Sequence, residues 1–315
     1  MKRMKKWLAF TAMAILLIFS AACGNSNEKT SSSSNSGSEN TKAAKSASSS
    51  EDVSGQIIVG GSTALQPLAE AANEGFKQKY PDAQVQIQGG GSGTGLSSVA
   101  SGSFNIGMSD IFAESSADIP ADQLVDYKVA VVAMTAAVNK DAGVTNLSKE
   151  DLIKVFTGKV TNWKDVGGND VKITLVNRPD GSGTRATFDQ FALDGATPAK
   201  GIEQDASGTV KDIVSKTKGA IGYLALSYFD DSDKSVVPLS IDGVEATVEN
   251  VESGKFPVWA YEHMYTKGEA DGVAKAFIDY MLSDDVQGSI LESQGYIPVK
   301  EMQVERDASG KETQK

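Results

Sequence analysis

The sequence predicts an α/β protein of two lobes with a ligand cleft between them, and three observations carry that prediction. Short apolar strands alternate with helices, the pattern of a mainly parallel sheet. Four of the strands run out into turns rich in Gly, Ser, Thr and Asp, and in parallel sheets ligands sit off the carboxyl ends of the strands. Two extended apolar stretches, near residues 132 and 258, cross between the halves and leave a two-strand hinge. The expected division is therefore 55–132 and 258–303 for the first lobe and 133–257 for the second.

Taken in order, Gln56-Ile57-Ile58-Val59 reads as a buried strand that turns at Gly60-Gly61-Ser62-Thr63. A helix follows from about Ala64, with Pro67 in its first turn, where the missing N–H costs nothing. Leu65, Leu68, Ala72 and Phe76 share one face of it. Val85 and Ile87 alternate with glutamines in a second strand. It runs into Gly89-Gly90-Gly91-Ser92-Gly93-Thr94-Gly95 and a short helix closed by Gly102. Phe104–Met108 is a third strand, ending at Ser109-Asp110. Tyr127–Val138 is long, apolar and uncapped, so it reads as an extended connection.

The second lobe opens with a helix over 147–156, N-capped by Ser148 with Asp151 three residues on. Val171–Val176 alternates as a strand, then NRPDGSGTRATF at 177–188 turns into a helix starting near Ala186. Further helices are expected around 208–217, 272–282 and 284–293, with a strand at Ala220–Tyr223 and extended chain at 256–260. The last dozen residues, from about Val304, are polar and expected to fray.

The first 22 residues differ from the rest. Lys2, Arg3, Lys5 and Lys6 precede an apolar run and the small residues Ser20-Ala21-Ala22, which reads as a secretion signal. The sole cysteine, Cys23, follows at once, so no intramolecular disulfide exists. The arrangement resembles a bacterial lipobox, with Ser20 where Leu is usual. That resemblance implies that Cys23 carries fatty-acyl chains such as palmitate and anchors the protein outside the cytoplasmic membrane. Residues 24–54 are Ser-rich and almost devoid of apolar side chains, so they read as a flexible tether.

The chain carries a formal net charge of −11; residues 1–22 hold four positive charges and no negative ones, so without them it is −15. Such acidity argues against nucleic acid. Anion capture would have to be local, through aimed dipoles and one or two guanidinium groups. The 177–188 turn offers that. A strand that turns through Ser-Gly-Thr into a helix aims unpaired N–H groups and the positive end of the helix dipole at one point. Arg178 and two hydroxyls add further donors.

Other chemistries fit poorly. No turn continues into the Gly-Lys-Ser/Thr of a P-loop, residues 89–95 do not match GxGxxG with a following helix, and no serine sits in GxSxG. With one histidine, His263, in an aromatic context and read as packed or exposed, and with one lipidated cysteine, soft-metal sites and Cys/His catalysis are nearly excluded. A secreted phosphatase or esterase using Ser92 or Ser182 would lack a nearby general base. No cofactor or metal is expected.

Four motifs, GGSTALQPL at 60–68, QGGGSGTG at 88–95, GMSD at 107–110 and RPDGSGTR at 178–185, occur in an order and spacing that resemble the phosphate-binding lipoproteins of Pst-type ABC importers. The likeness covers about residues 55–300. It implies a type II periplasmic-binding-protein-like fold that closes on inorganic phosphate without chemistry and hands it to membrane permease subunits served by an ATPase. By the same resemblance, Thr63 lends its hydroxyl and Ala64 its N–H, with Ser62 adjacent. Ser92 donates from the second turn, and Asp110 is the acceptor carboxylate. Arg178, Ser182, Gly183 and Thr184 form the far side, Asp180 pairs with Arg178, and Arg185 stands behind. Hydrogen phosphate has acceptor oxygens for these donors and one O–H for Asp110. Sulfate or molybdate would set that carboxylate against an anion with no proton, at a cost of several kcal/mol in order of magnitude.

Overall fold

The computed structural model describes residues 53–230 and 232–315, so the expected signal, Cys23 and most of the tether lie outside the described residues. The chain enters as β1 (Gly55–Gly61), α1 (Gln66–Lys79), β2 (Ala83–Gln88), α2 (Ser92–Ser101) and β3 (Ile106–Ser109). The 127–138 segment is the core of a 16-residue strand, β4 (Leu124–Asn139). Then come β5 (Asn146–Leu147), α3 (Lys149–Phe156), β6 (Thr174–Asn177), α4 (Gly183–Phe191), β7 (Ile202–Glu203), α5 (Ser207–Lys216) and β8 (Ala220–Ala225). The remainder is β9 (Val236–Pro238), β10 (Ser240–Ile241), α6 (Val248–Glu252), β11 (Trp259–Lys267), α7 (Gly272–Met281), α8 (Leu291–Ser293), β12 (Val304–Arg306) and β13 (Glu312–Gln314).

Local chemistry explains the helices. Pro67 sits in the first turn of α1, and Leu65, Leu68, Ala72 and Phe76 are fully buried, as the spacing predicts. Ser148 caps α3 by accepting the Asp151 N–H at 3.1 Å and gives its own hydroxyl to the Asp151 carboxylate at 2.9 Å. The helix expected over 284–293 is instead a wider π-turn at Val286–Ile290 that runs into α8.

Among the described residues the main sheet has nine strands, ordered β2-β1-β3-β11-β4-β8-β6-β7, with β9 also paired to β4. β1–β3 are mutually parallel, and so are β6–β8, as the alternation predicts; β11 and β4 between them pair antiparallel with their neighbours. Three antiparallel pairings separate β3 from β8, so the two parallel sets run in opposite directions. Through His263, Ser109 at the end of β3 stands level with Lys128 of β4, while Ala225 at the end of β8 stands level with Met134. The two carboxyl edges therefore face each other along β4, with Ser109 and Ala225 about 20 Å apart at roughly 3.3 Å per residue and the turns beyond the strands filling the space between. The site is fixed there by topology.

The polar tail does not fray. β12 and β13 form a hairpin on which Val304 and Arg306 are buried and Glu305 is exposed. The Arg306 guanidinium lies 3.7 Å from the Phe191 ring centroid and 4.1 Å from that of Trp259. It donates to the Trp259 and Pro257 carbonyls and to Glu312. Stacking and charge-assisted hydrogen bonds let a polar segment dock where apolar burial alone would not hold it.

Candidate functional site

The first edge is built from backbone that touches backbone. A Cβ on Gly61 would stand 2.2 Å from the Met108 carbonyl oxygen, and one on Gly95 2.3 Å from the same atom. Gly61 also has φ +133°, which other residues avoid. With that contact made, Ser62 N–H donates to Met108 O at 2.9 Å and Gly91 N–H to Gly61 O at 2.8 Å, which brings the first two turns together. Ser62 Oγ accepts the Ala64 and Leu65 N–H groups, each at 3.0 Å. Ser62, Thr63 and Ala64 are all buried. Ser92 opens α2 fully buried, and its Oγ accepts the Asp110 N–H at 3.0 Å, joining the second turn to the third.

The second edge is built from side chains. Arg178 is 1% exposed. Its N–H donates to Tyr223 Oη at 3.0 Å, Nη1 to Ser207 Oγ at 3.0 Å and Nη2 to the Asp205 carbonyl at 2.7 Å. Ser182 caps α4 by accepting the Arg185 N–H at 3.2 Å. A Cβ on Gly183 would meet Ser92 Oγ at 2.2 Å and the Asp110 Cβ at 3.0 Å, so glycine lets the two edges meet.

Direct contacts span the edges. Thr184 Oγ1 donates to Asp110 Oδ2 at 2.8 Å, and Gly93 N–H to Gly181 O at 2.9 Å. Thr63 Oγ1 accepts the Ser207 N–H at 3.2 Å, and Tyr228 Oη donates to Thr63 O at 2.5 Å. The structure thus gathers Ser62, Thr63, Ala64, Ser92, Asp110, Arg178, Ser182, Gly183 and Thr184 into one connected cluster. The N-termini of α2, α4 and α5 open on it. Two polar atoms inside it have no protein partner: Asp110 Oδ1 and Arg178 Nε. Burial lowers the proton affinity of the Arg178 guanidinium, and the Asp110 charge pulls it back up.

One expected pairing is corrected. Asp180 does not hold Arg178; its side chain is 95% exposed and pairs with Arg185 Nη1 at 2.8 Å. Arg185 then gives Nη1 to the Arg178 carbonyl and Nε to Asp189, so it braces the turn from outside. The Arg178 guanidinium points inward to Ser207 and Asp205, too deep for a side chain on the exposed tip to reach. His263 is fully buried, with Nδ1 2.7 Å from Asp126, and it touches neither Ser92 nor Ser182. Among the described residues no hydrogen bond joins His263 to a serine.

Sequence reasoning missed Ser207, Tyr223, Tyr228 and Glu262. A signal existed for the first: Ser207-Gly208-Thr209 is a third Ser-Gly-Thr at a helix start, after Ser92-Gly93-Thr94 and Ser182-Gly183-Thr184. Glu262 also had one, as a lone acid inside the apolar strand Trp259–Tyr265. Burial, followed by the Asp110 charge and a hydrogen bond toward it, pushes the Glu262 carboxyl well above the usual range.

Known proteins share this architecture. The PBP superfamily domain matches residues 46–285. The phosphate-binding protein PstS of Bacillus subtilis (strain 168) is 54% identical over 308 residues, 98% of this chain and 99% of that one. A Clostridium perfringens structure with bound phosphate matches at TM-score 0.71 and 33% identity, over 78% of this chain and all of its own. An ABC-type phosphate transport receptor from Vibrio cholerae matches at TM-score 0.61 and 27% identity, over 76% of this chain and 99% of its own. The fold is that of the periplasmic-binding-protein class, and the chain belongs to the PstS family of that superfamily.

Proposed function

We propose that this chain is a non-enzymatic receptor that binds inorganic phosphate and delivers it to an ABC-type importer. The observation that carries this reading is the pairing, in one buried cluster, of the Asp110 acceptor with the Arg178 donor, with three helix N-termini around them. Arg178, the Thr63, Ser92 and Ser182 hydroxyls and the Gly183 N–H serve the phosphate oxygens, joined by the Thr184 hydroxyl and the Ala64 N–H once these turn from Asp110 and Ser62 to the ligand. Asp110 takes the phosphate O–H. Helix dipoles and one buried guanidinium do the work, so the site needs no positive surface. The 54% identity to the Bacillus protein and the phosphate-bound Clostridium structure support the same ligand.

The finer organisation is proposed with it. Residues 55–132 and 258–303 move as one lobe and 133–257 as the other, with β4 and β11 as the hinge strands. The tail hairpin joins this frame through Arg306. Cys23 carries the lipid that holds the receptor outside the cytoplasmic membrane, and permease subunits with their ATPase receive the ligand. The basic head, apolar run and small residues before Cys23 support the anchor.

Titration calorimetry should find one phosphate per chain and sulfate weaker by about 100-fold or more, since an unpaired buried charge costs several kcal/mol. Asp110→Asn should narrow that gap. Equal affinity for the two anions in the native protein, or an unchanged gap in Asp110→Asn, would sink the acceptor role.

A further inference from the structure

Glu262 is fully buried on β11, and among the described residues no hydrogen-bond donor reaches either of its carboxyl oxygens. Its position follows from the antiparallel register: His263 pairs with Ser109, which sets Glu262 level with Asp110 just past the end of β3, and the neighbouring β4 is irregular there. Glu262 pairs with Ala130 and His263 with Lys128, which leaves Val129 as an extra residue on β4. Such bulges interrupt the ladder locally, and they cluster near functional sites. This one is pinned, because Gln287 Nε2 donates to the Val129 carbonyl at 2.9 Å. Trp259, Tyr261, His263 and Tyr265 contact one another ring to ring along the strand, while Glu262 turns toward Asp110.

The ionisable groups facing Glu262 come from three other elements: Asp110 after β3, Tyr228 after β8 and Tyr296 after α8. Neither tyrosine is available to solvate a second carboxylate. Tyr228 gives its hydroxyl to the Thr63 carbonyl and Tyr296 gives its own to the Ala64 carbonyl. The Arg178 Nη groups give N–H bonds to Ser207 and Asp205, and no hydrogen bond joins that guanidinium to Glu262. An ionised Glu262 would therefore be a buried charge beside a second carboxylate. Burial, then the Asp110 charge, favour its protonated form. A protonated carboxyl has one O–H to give, and Asp110 Oδ1 is an acceptor without a donor.

We propose that Glu262 gives its O–H to Asp110 Oδ1, and that this bond fixes Asp110 in place as the acceptor and so sets the preference for anions that carry a proton. Glu262 is thus a positioning residue, acting on the ligand through Asp110; the inference rests on the phosphate-binding reading above. Without that donor Asp110 Oδ1 has no partner to fix its orientation, so the acceptor that discriminates against proton-free anions is aimed less well.

The test uses the full chain with two variants, because Glu262→Gln keeps an N–H donor at the same place and Glu262→Leu removes it. Calorimetry with inorganic phosphate and with sulfate at neutral pH gives the selectivity ratio. Glu262→Leu should narrow it about tenfold or more, the worth of one hydrogen bond to a charged group, while Glu262→Gln keeps it within about threefold. A Glu262→Leu protein that folds and keeps the native ratio overturns the proposal. Should Glu262→Leu not fold, infrared spectroscopy of the ligand-free protein decides. The native chain should show a protonated-carboxyl band that Glu262→Gln lacks, and absence of that band overturns the proposal.

A pH series adds an independent reading. Folded Glu262 keeps its proton above the pH at which an unfolded chain releases it, so folding binds a proton there and native stability drains away as pH rises from about 4.5. The midpoint gained by Glu262→Gln should grow over that range, and a pH-independent difference counts against the protonated carboxyl. These two readings need no ligand. A native protein that binds no phosphate would therefore defeat the functional reading and leave the Glu262–Asp110 pair to be judged separately.

Discussion

The two edges of the site reach the same end by different means. On the β1–β3 edge, turns are set by glycines with no room for a side chain: Gly61 and Gly95 both press on the Met108 carbonyl. On the β6–β8 edge, a long buried side chain is aimed by polar partners, with Arg178 held by Ser207, Asp205 and Tyr223. A main-chain jig tolerates nothing at its contacts, because backbone cannot step aside as a rotamer can. A side-chain network can lose a member and still fold. Errors on the first edge should therefore appear as lost stability, and errors on the second as lost binding.

Gly61→Ala puts that difference under the greatest load. It adds a Cβ 2.2 Å from backbone at a φ of +133°. Overpacking of about 1–3 kcal/mol and backbone strain of about 1–3 kcal/mol should together remove a large part of the folding free energy. Denaturant titration measures it. A loss below about 1 kcal/mol would mean that the first edge flexes after all.

On the other edge, Arg178→Met keeps the length and loses the charge. Phosphate affinity should fall about 100-fold or more, with a smaller loss of stability than Gly61→Ala causes. Were the unfolding midpoint to fall as far as in Gly61→Ala, the two edges would not differ in kind. The smallest effect belongs to Asp180→Ala. An exposed ion pair contributes little, so phosphate affinity should stay within about twofold of native. A large loss would return Asp180 to the role of holding Arg178.

Much of this was legible in sequence because it is local. A Ser or Thr after a strand and before a helix announces its own turn, and the four motifs all lie where β1, β2, β3 and β6 end. What stayed hidden depends on partners far along the chain. Tyr228 meets the Thr63 carbonyl across 165 positions, and Ser207 meets Thr63 across 144. The tail looked unable to fold because its composition is polar. Arg306 docks through rings at 191 and 259 that no local pattern announces. Asp180 was misplaced for the opposite reason: it is near Arg178 in sequence, but the turn sends the two side chains to opposite sides.

A site that captures an anion with one buried guanidinium and the ends of three helices, inside a chain of net charge −11, has a kinetic consequence. Outside the cluster an arriving dianion meets the repulsive net charge over a reach that salt sets, about 8 Å at physiological ionic strength and longer in dilute salt. Attraction takes over only at the mouth of the cluster. Arrival is thus slowest in dilute salt and quickens as ions screen the repulsion. Departure answers to buried bonds that bulk salt scarcely reaches.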